Sequence, residues 1–300
     1  MTKNFRQKYI SHPLQGALAY GLYFLIRLIP FDIASNLGGW LARKIGPYTK
    51  ANKIGLDNLQ RAFPEKTRSE IDKILQGVWD NLGRVGFEFP HVGTINVYED
   101  PARFEIVNPQ YVDLLRNDNK CGLFFSAHFA NWEFSPRASA QHTPALPVHL
   151  IYREPDNPYV RNLFAKRMPT QECGLIPKGS KGARQALNIL KEGGHLALLV
   201  DQKMNDGIPV PFFGRDAMTA PAIAQFALKF NCPIVPMRLE RVNGTRFRMT
   251  FYPPLEIENT GNRQDDILKI MTEINRILES WIREKPEQWL WLHRRWPKDT

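Results

Sequence analysis

The stretch Gly122-Leu-Phe-Phe-Ser-Ala-His-Phe-Ala-Asn-Trp-Glu-Phe134 decides how this chain is read. Leu123 to Phe125 is a short apolar run suited to a buried strand, and His128 follows at its C-terminal end. Open α/β sheets bind ligands in the crevice outside the carboxyl ends of their strands, so the histidine is expected at such a crevice. Glu133 stands five residues further on. A carboxylate that holds an imidazole in one tautomer lets it take a proton from a substrate hydroxyl, the general-base half of acyl transfer. On spacing alone the pair also suits a metal ligand or a satisfied core histidine.

Outward from this stretch, apolar runs alternate with helical periodicity. Strands are expected at Phe104 to Val107, Gly122 to Ala127, Val148 to Tyr152, Gly174 to Ile176, His195 to Val200, Ile234 to Leu239 and Phe247 to Phe251. Helices are expected between them at Pro109 to Leu115, Trp132 to Ala140, Pro158 to Lys166, Lys181 to Lys191 and Ala220 to Phe230, with a long amphipathic one from Gln264 to Arg283. The alternation predicts an α/β fold, a mixed sheet flanked by helices, over residues 90–300. Residues 1–89 read instead as an N-terminal helical part. Its breaks are Pro30-Phe-Asp32, Gly46-Pro47 and Pro64-Glu-Lys-Thr67, and Thr67 with Glu70 three residues later forms a capping box.

Within that part, Pro13 to Phe31 is greasy enough for a membrane anchor, spanning or lying in the interface, and Lys3, Arg6 and Lys8 precede it. Arg27 is expected to snorkel from its end. Gln15, Arg27 and the lack of a small-residue cleavage site argue against a cleavable signal peptide. The chain has 300 residues and a formal net charge of +10, a surplus that favours partners bearing phosphates or carboxylates. No nucleic-acid motif accompanies the basic residues, which excludes nucleic acid as the expected partner. Cys121, Cys173 and Cys232 show no disulfide or metal spacing, so buried thiols in a reducing setting are expected.

Other chemistry fits poorly. His128, His142, His149 and Glu133 are close in sequence, but no His-Glu-x-x-His helix exists and Pro144 and Pro147 interrupt them, so no metal is expected. There is no Gly-x-Ser-x-Gly elbow, and Ser126 lies two residues before His128, too local for an acyl-serine enzyme. Asn131 offers an amide for substrate, oxyanion or a helix N-cap. Arg153 and Lys178 each follow a strand and suit a phosphate, and Arg153 presents paired donors for it. Asp201 and Gln202 close the strand that ends at Val200.

Several blocks carry a family resemblance. They are His128-Phe-Ala-Asn-Trp-Glu133, Ile151-Tyr-Arg-Glu-Pro-Asp-Asn-Pro158, Gly174-Leu-Ile-Pro-Lys178, Leu198-Leu-Val-Asp-Gln202, Val210-Pro-Phe-Phe-Gly214, Thr219-Ala-Pro221 and Trp291-Leu-His-Arg-Arg-Trp296. Together and in this order they resemble the late acyltransferases of lipid A biosynthesis, within the wider glycerolipid-acyltransferase group. Ala130 stands where that family commonly has glycine.

The resemblance implies a membrane-bound acyltransferase with His128 as general base and Glu133 as its orienting partner. Asn131, Arg153, Lys178, Asp201 and Gln202 would line the substrate site, and Phe212-Phe213-Gly214 would be an apolar wall. The implied donor is acyl carrier protein, as co-substrate and without a cofactor, and the implied acceptor is a phosphorylated glycolipid. The implied place is the cytoplasmic face of a bacterial inner membrane. Acyl-coenzyme A as donor to another glycolipid or glycerolipid, and a non-catalytic lipid-binding role, are the alternatives.

Overall fold

The computed structural model describes residues 7–118, 120–168 and 173–297, so Lys3 and Arg6 lie outside the described residues. Four helices come first: α1 (His12–Arg27), α2 (Phe31–Ile45), α3 (Lys50–Ala62) and α4 (Arg68–Val92). The capping box starts α4 as expected. The Thr67 N–H donates to Glu70 Oε2 at 2.8 Å, and the Glu70 N–H returns to Thr67 Oγ1 at 3.4 Å.

Helix α4 runs unbroken to Val92, because Val85, Glu88 and Val92 keep facing the interior. The boundary expected at residue 89/90 therefore falls inside a continuous helix, and one apolar cluster joins Leu59 and Ile71 to the sheet and to Trp296. Helices α2 and α4 cross in close contact. A Cβ added to Gly38 would lie 2.3 Å from the Gly83 carbonyl oxygen, and one added to Gly83 would lie 2.1 Å from that of Gly38. Arg27 turns inward and donates to the Pro90 carbonyl at 2.7 Å. That bond replaces the expected snorkelling, because Pro90 belongs to the last turn of α4, where backbone carbonyls lack partners within the helix.

The rest of the chain runs β1 (Phe104–Val107), α5 (Gln110–Asn117), β2 (Gly122–Ser126), α6 (Ser135–Ala140), β3 (Val148–Tyr152), α7 (Pro158–Ala165), β4 (Leu175–Pro177), α8 (Ser180–Lys191) and β5 (His195–Leu199). It continues with β6 (Lys203–Phe212), β7 (Arg215–Thr219), α9 (Ala222–Phe230), β8 (Ile234–Asn243), β9 (Arg246–Phe251) and α10 (Arg263–Glu284). Among the described residues seven strands form one sheet in the order β1-β9-β8-β2-β5-β3-β4. Its neighbours are parallel except β8 and β9, so the sheet is mixed, as the alternation predicts.

The β6–β7 ribbon was not expected from the sequence. Pro209 and Pro211 disguise β6, since proline cannot donate to a ladder and is confined to edges and bulges. The two strands turn at Phe213 (φ 51°) and Gly214 (φ 69°), the two positive φ values of a type I′ hairpin. This places the Phe212-Phe213-Gly214 wall against the aromatic C-terminal segment: the Phe212 ring lies 5.8 Å from that of Trp289 and Phe213 lies 6.0 Å from Trp291.

Because side chains alternate along a strand, the sheet has two distinct faces. Phe125 points to one, where its ring stacks on Trp281 of α10 at 6.0 Å. Phe124 and Ser126 point to the other, beside Ala197 and Leu199 in register on β5. On that second face the core is interrupted by the cavity described below.

A buried polar network joins the helical part to the sheet. Glu88 of α4 is fully buried, and both its oxygens meet the Arg241 guanidinium of β8, at 2.6 and 3.0 Å. Ser35 of α2 and Asn131 also donate to it, at 2.6 and 2.7 Å, so every lone pair direction of the carboxylate is used. Removing one partner of a buried ion pair leaves the other charge uncompensated, typically at a cost of about 3–5 kcal/mol. Glu88→Ala is accordingly expected to lower the unfolding free energy by roughly that amount in urea titrations. A loss below about 1 kcal/mol would show that the network contributes little.

Candidate active site

The site is assembled by the register of two neighbouring strands. Ser126 of β2 lies opposite Leu199 of β5. The Val200 N–H then extends the ladder to the Ser126 carbonyl at 3.2 Å. His128 and Asp201, each two residues beyond that pair, consequently leave the sheet together.

Asp201 collects three N–H groups. The His128 backbone N–H donates to Oδ2 at 2.9 Å, the His128 Nδ1 meets Oδ1 at 2.8 Å, and the Trp289 indole N–H donates to Oδ2 at 2.7 Å. Its side chain is 2% exposed. Burial alone would raise this carboxyl, but the attraction of His128 and the hydrogen bonds from His128 and Trp289 overcome it and hold the carboxyl at about 2. An ionised Asp201 places the ring proton on Nδ1 and leaves the lone pair on Nε2, where the Gln202 amide N–H can donate to it. The Gln202 amide nitrogen sits 3.3 Å from Nε2, and the Trp132 ring stands edge-on to the imidazole at 5.1 Å.

This corrects the orienting role expected of Glu133. Its carboxylate pairs with Arg167, at 3.0 Å from Oε2 to Nη1, and accepts the Trp132 indole N–H at 3.1 Å. The His128 ring nitrogen that an acid would hold is already taken by Asp201. Glu133 still lines the same cavity as His128, and it fixes a guanidinium there.

Asn131 also departs from the expected substrate role. It is fully buried, donates to Glu88, and accepts the Glu133 N–H at 3.2 Å as an N-cap. The amide is used up in holding the loop that carries His128. Ala130, next to it, adopts φ 48°, a left-handed conformation that costs an alanine roughly 1–2 kcal/mol and a glycine almost nothing. That is a physical reason for glycine at this position. Here the turn is held by neighbours: the Ala130 N–H donates to the Gln288 carbonyl at 2.9 Å, and the Leu290 N–H donates to the His128 carbonyl at 3.0 Å.

His128, Glu133, Arg153, Lys178 and Gln202 line one cavity of about 320 Å³. Arg153 and Lys178 are exposed at its rim and form no ion pair among the described residues. His293 joins them; within the Trp291–Trp296 block nothing local marks it as a site residue. Desolvation lowers its pKa against the opposing attraction of Asp201, which favours a neutral imidazole there. Deeper in, the walls become apolar, with Phe124, Leu150, Ala197, Leu199 and Met237 from the sheet and Phe164 from α7. Among the described residues no cluster of three or more His, Cys, Asp or Glu is arranged to hold a metal ion.

A base whose Nε2 carries the lone pair, at the cationic mouth of an apolar chamber, fits transfer of a long hydrocarbon group to a polar acceptor. The family model of the bacterial lipid A biosynthesis acyltransferases matches residues 4–298. The chain belongs to that family. It is therefore an acyltransferase of lipid A biosynthesis.

Curated relatives agree in span. A lipid A biosynthesis acyltransferase of Haemophilus influenzae is 22% identical over 303 residues, covering 96% of this chain and 90% of the relative. A lipid A biosynthesis lauroyltransferase of Escherichia coli is 26% identical over 289 residues, covering 93% and 90%. A solved 1-acyl-sn-glycerophosphate acyltransferase from Thermotoga maritima covers 84% of this chain and 97% of its own at a TM-score of 0.36 and 10% identity, a likeness too low to carry an argument.

The depressed Asp201 carboxyl has a consequence for stability. A carboxyl lowered by folding stabilises the protein above its ordinary range, near pH 4, and that contribution disappears as pH falls toward 2. Urea midpoints measured from pH 7 to pH 2.5 are expected to fall more steeply for the wild type than for Asp201→Asn. Parallel curves would show that Asp201 is not held ionised by its partners.

Proposed function

We propose that the enzyme moves a fatty acyl group from acyl carrier protein to a hydroxyl of a phosphorylated glucosamine lipid at the cytoplasmic face of a bacterial inner membrane. The observation that carries the reading is the His128 imidazole, fixed through Nδ1 by Asp201 while Nε2 faces the chamber mouth. In this scheme Nε2 takes the acceptor hydroxyl proton as the oxygen attacks the thioester carbonyl. The C–S bond then breaks, and the imidazolium returns its proton to the leaving thiolate. Asp201 keeps the tautomer and stabilises the imidazolium, the part first expected of Glu133. Glu133 instead holds Arg167 at the chamber wall.

The rim chemistry supports the choice of partners. Arg153 and Lys178, cations with no ion pair among the described residues, suit acceptor phosphates, and an acidic carrier protein suits a chain of net charge +10. Membrane contact is supported by the first two helices. Leu14, Leu18, Leu22 and Leu25 of α1 and Ile33, Leu37 and Trp40 of α2 are exposed, an apolar surface of the kind that marks a lipid or protein interface.

No helix among the described residues is long and apolar enough to cross a membrane, so the anchor proposed here lies in the interface. Helix α1 is docked on α7, a wall of the chamber: Tyr159 packs on Gly16, and Asn157 donates to the His12 carbonyl at 2.9 Å.

Two measurements test the reading. Transfer to a tetraacylated, bisphosphorylated glucosamine disaccharide is expected from acyl carrier protein at least tenfold faster than from acyl-coenzyme A. His128→Ala should abolish it, and Asp201→Asn should slow it by about 10²–10⁴ in kcat, as expected when a base loses its tautomer. Full turnover by His128→Ala, or transfer from acyl-coenzyme A alone, would overturn it. Separately, Leu18→Glu/Leu22→Glu is expected to weaken binding to vesicles of phosphatidylethanolamine and phosphatidylglycerol by tenfold or more. Unchanged sedimentation with vesicles would remove α1 from the membrane contact.

A further inference from the structure

We propose that Ala197 sets the depth of the chamber and thereby the length of the acyl chain that is transferred. The inference rests on the reading of the chamber as the site of the donor chain. The mouth lies beyond the carboxyl ends of the strands, at His128, Arg153 and Gln202, and the sheet forms the floor. Depth is therefore counted backwards along the strands. Ala197 is the innermost residue of β5 in the chamber wall, and Phe124 is the innermost of β2.

Ala197 stands in one row across the floor, in register with Phe124 on one side and Leu150 on the other. Between those two large side chains it contributes a single methyl group. Leu199, Ala197 and Leu150 are partly exposed, whereas Phe124, Met237 and Phe251 are buried. Strand β5 is flanked by strands on both sides, so the open side of Ala197 is the one in the chamber wall. The free track thus follows β5 and β3, away from β8 and β9.

One row further back the space closes. There His195 of β5 stands in register with Gly122 of β2 and Val148 of β3. The His195 ring lies over Gly122, where an added Cβ would be 2.7 Å from its Cδ2, and its Nε2–H donates to the Leu115 carbonyl at 3.0 Å. Val148 is 1% exposed and ends the β3 side. A chain that passes His128 accordingly ends over Ala197, which lies four residues before Asp201, roughly 13 Å of extended strand. Protein interiors are close-packed, so a larger side chain in this row removes room that the end of the chain needs. One methylene too many or too few in an apolar pocket changes relative rates by roughly 10–200-fold.

The test uses the full chain and acyl carrier protein loaded with octanoyl, decanoyl, dodecanoyl, tetradecanoyl or hexadecanoyl groups in transfer assays, with calorimetric binding of the five free acids. Ala197→Leu is expected to move the preferred length down by about two carbons, changing the kcat/KM ratio of the next shorter chain to the wild-type optimum at least tenfold. Ala197→Val should shift the profile less in the same direction, and Val148→Ala, which opens the closing row, should shift it toward longer chains. These two milder variants decide the matter if Ala197→Leu does not fold. Length profiles that stay unmoved, or an equal loss on every chain, would overturn the proposal. A profile of bound acids that shifts as expected, without transfer from any donor, would instead fail the proposed reaction and leave the role of Ala197 standing.

Discussion

The site depends on one carboxylate. Asp201 is almost completely buried, and it is tolerated there because three N–H groups converge on it from two other parts of the chain. The backbone and ring of His128 bring the end of β2, and the Trp289 indole brings the C-terminal segment. An unpaired carboxylate at that depth would be prohibitively costly, so each of these segments must be in place for the others to be. Fold stability and a correctly protonated base are in this sense the same requirement.

The layer behind the carboxylate follows the same logic. Glu88, fully buried and held by Arg241, also receives Asn131 and Ser35. Asn81 and Gln288 complete the surroundings, through Asn81 donating to the Ala130 carbonyl at 3.1 Å and Gln288 pairing with the Arg241 backbone. The helical part is thus tied to the loop that presents His128 by charge-assisted hydrogen bonds as well as by apolar packing. A loop with an alanine in left-handed conformation is kept in shape by that surrounding, a common way for functional turns to be maintained.

Most of the sheet was legible, because β2, β3 and β5 are short apolar runs bounded by breakers, and such runs follow from local patterning. The β6–β7 ribbon was not, since Pro209 and Pro211 argue locally against a strand and the Phe213-Gly214 turn lacks the usual Asn-Gly signal. The base itself was legible from its place after an apolar run. Its partner was not: Glu133 is near His128 in sequence, whereas Asp201 is near it only through strand register. Arg167 and Glu88 gave no local signal, because an arginine in a turn or a glutamate on a helix reads as solvated until a partner from elsewhere is known.

By itself the sequence determined the α/β class, the strand-end position of His128, the greasy first helix and the basic surplus, since all of these follow from local periodicity and composition. Only the tertiary structure decided that Asp201 holds the imidazole, that Glu133 holds Arg167, and that Asn131 belongs to the buried network. The physical reason is that hydrogen bonds and burial are pairwise properties of groups brought together by folding, and the separation of 73 residues between His128 and Asp201 carries no local trace of their contact.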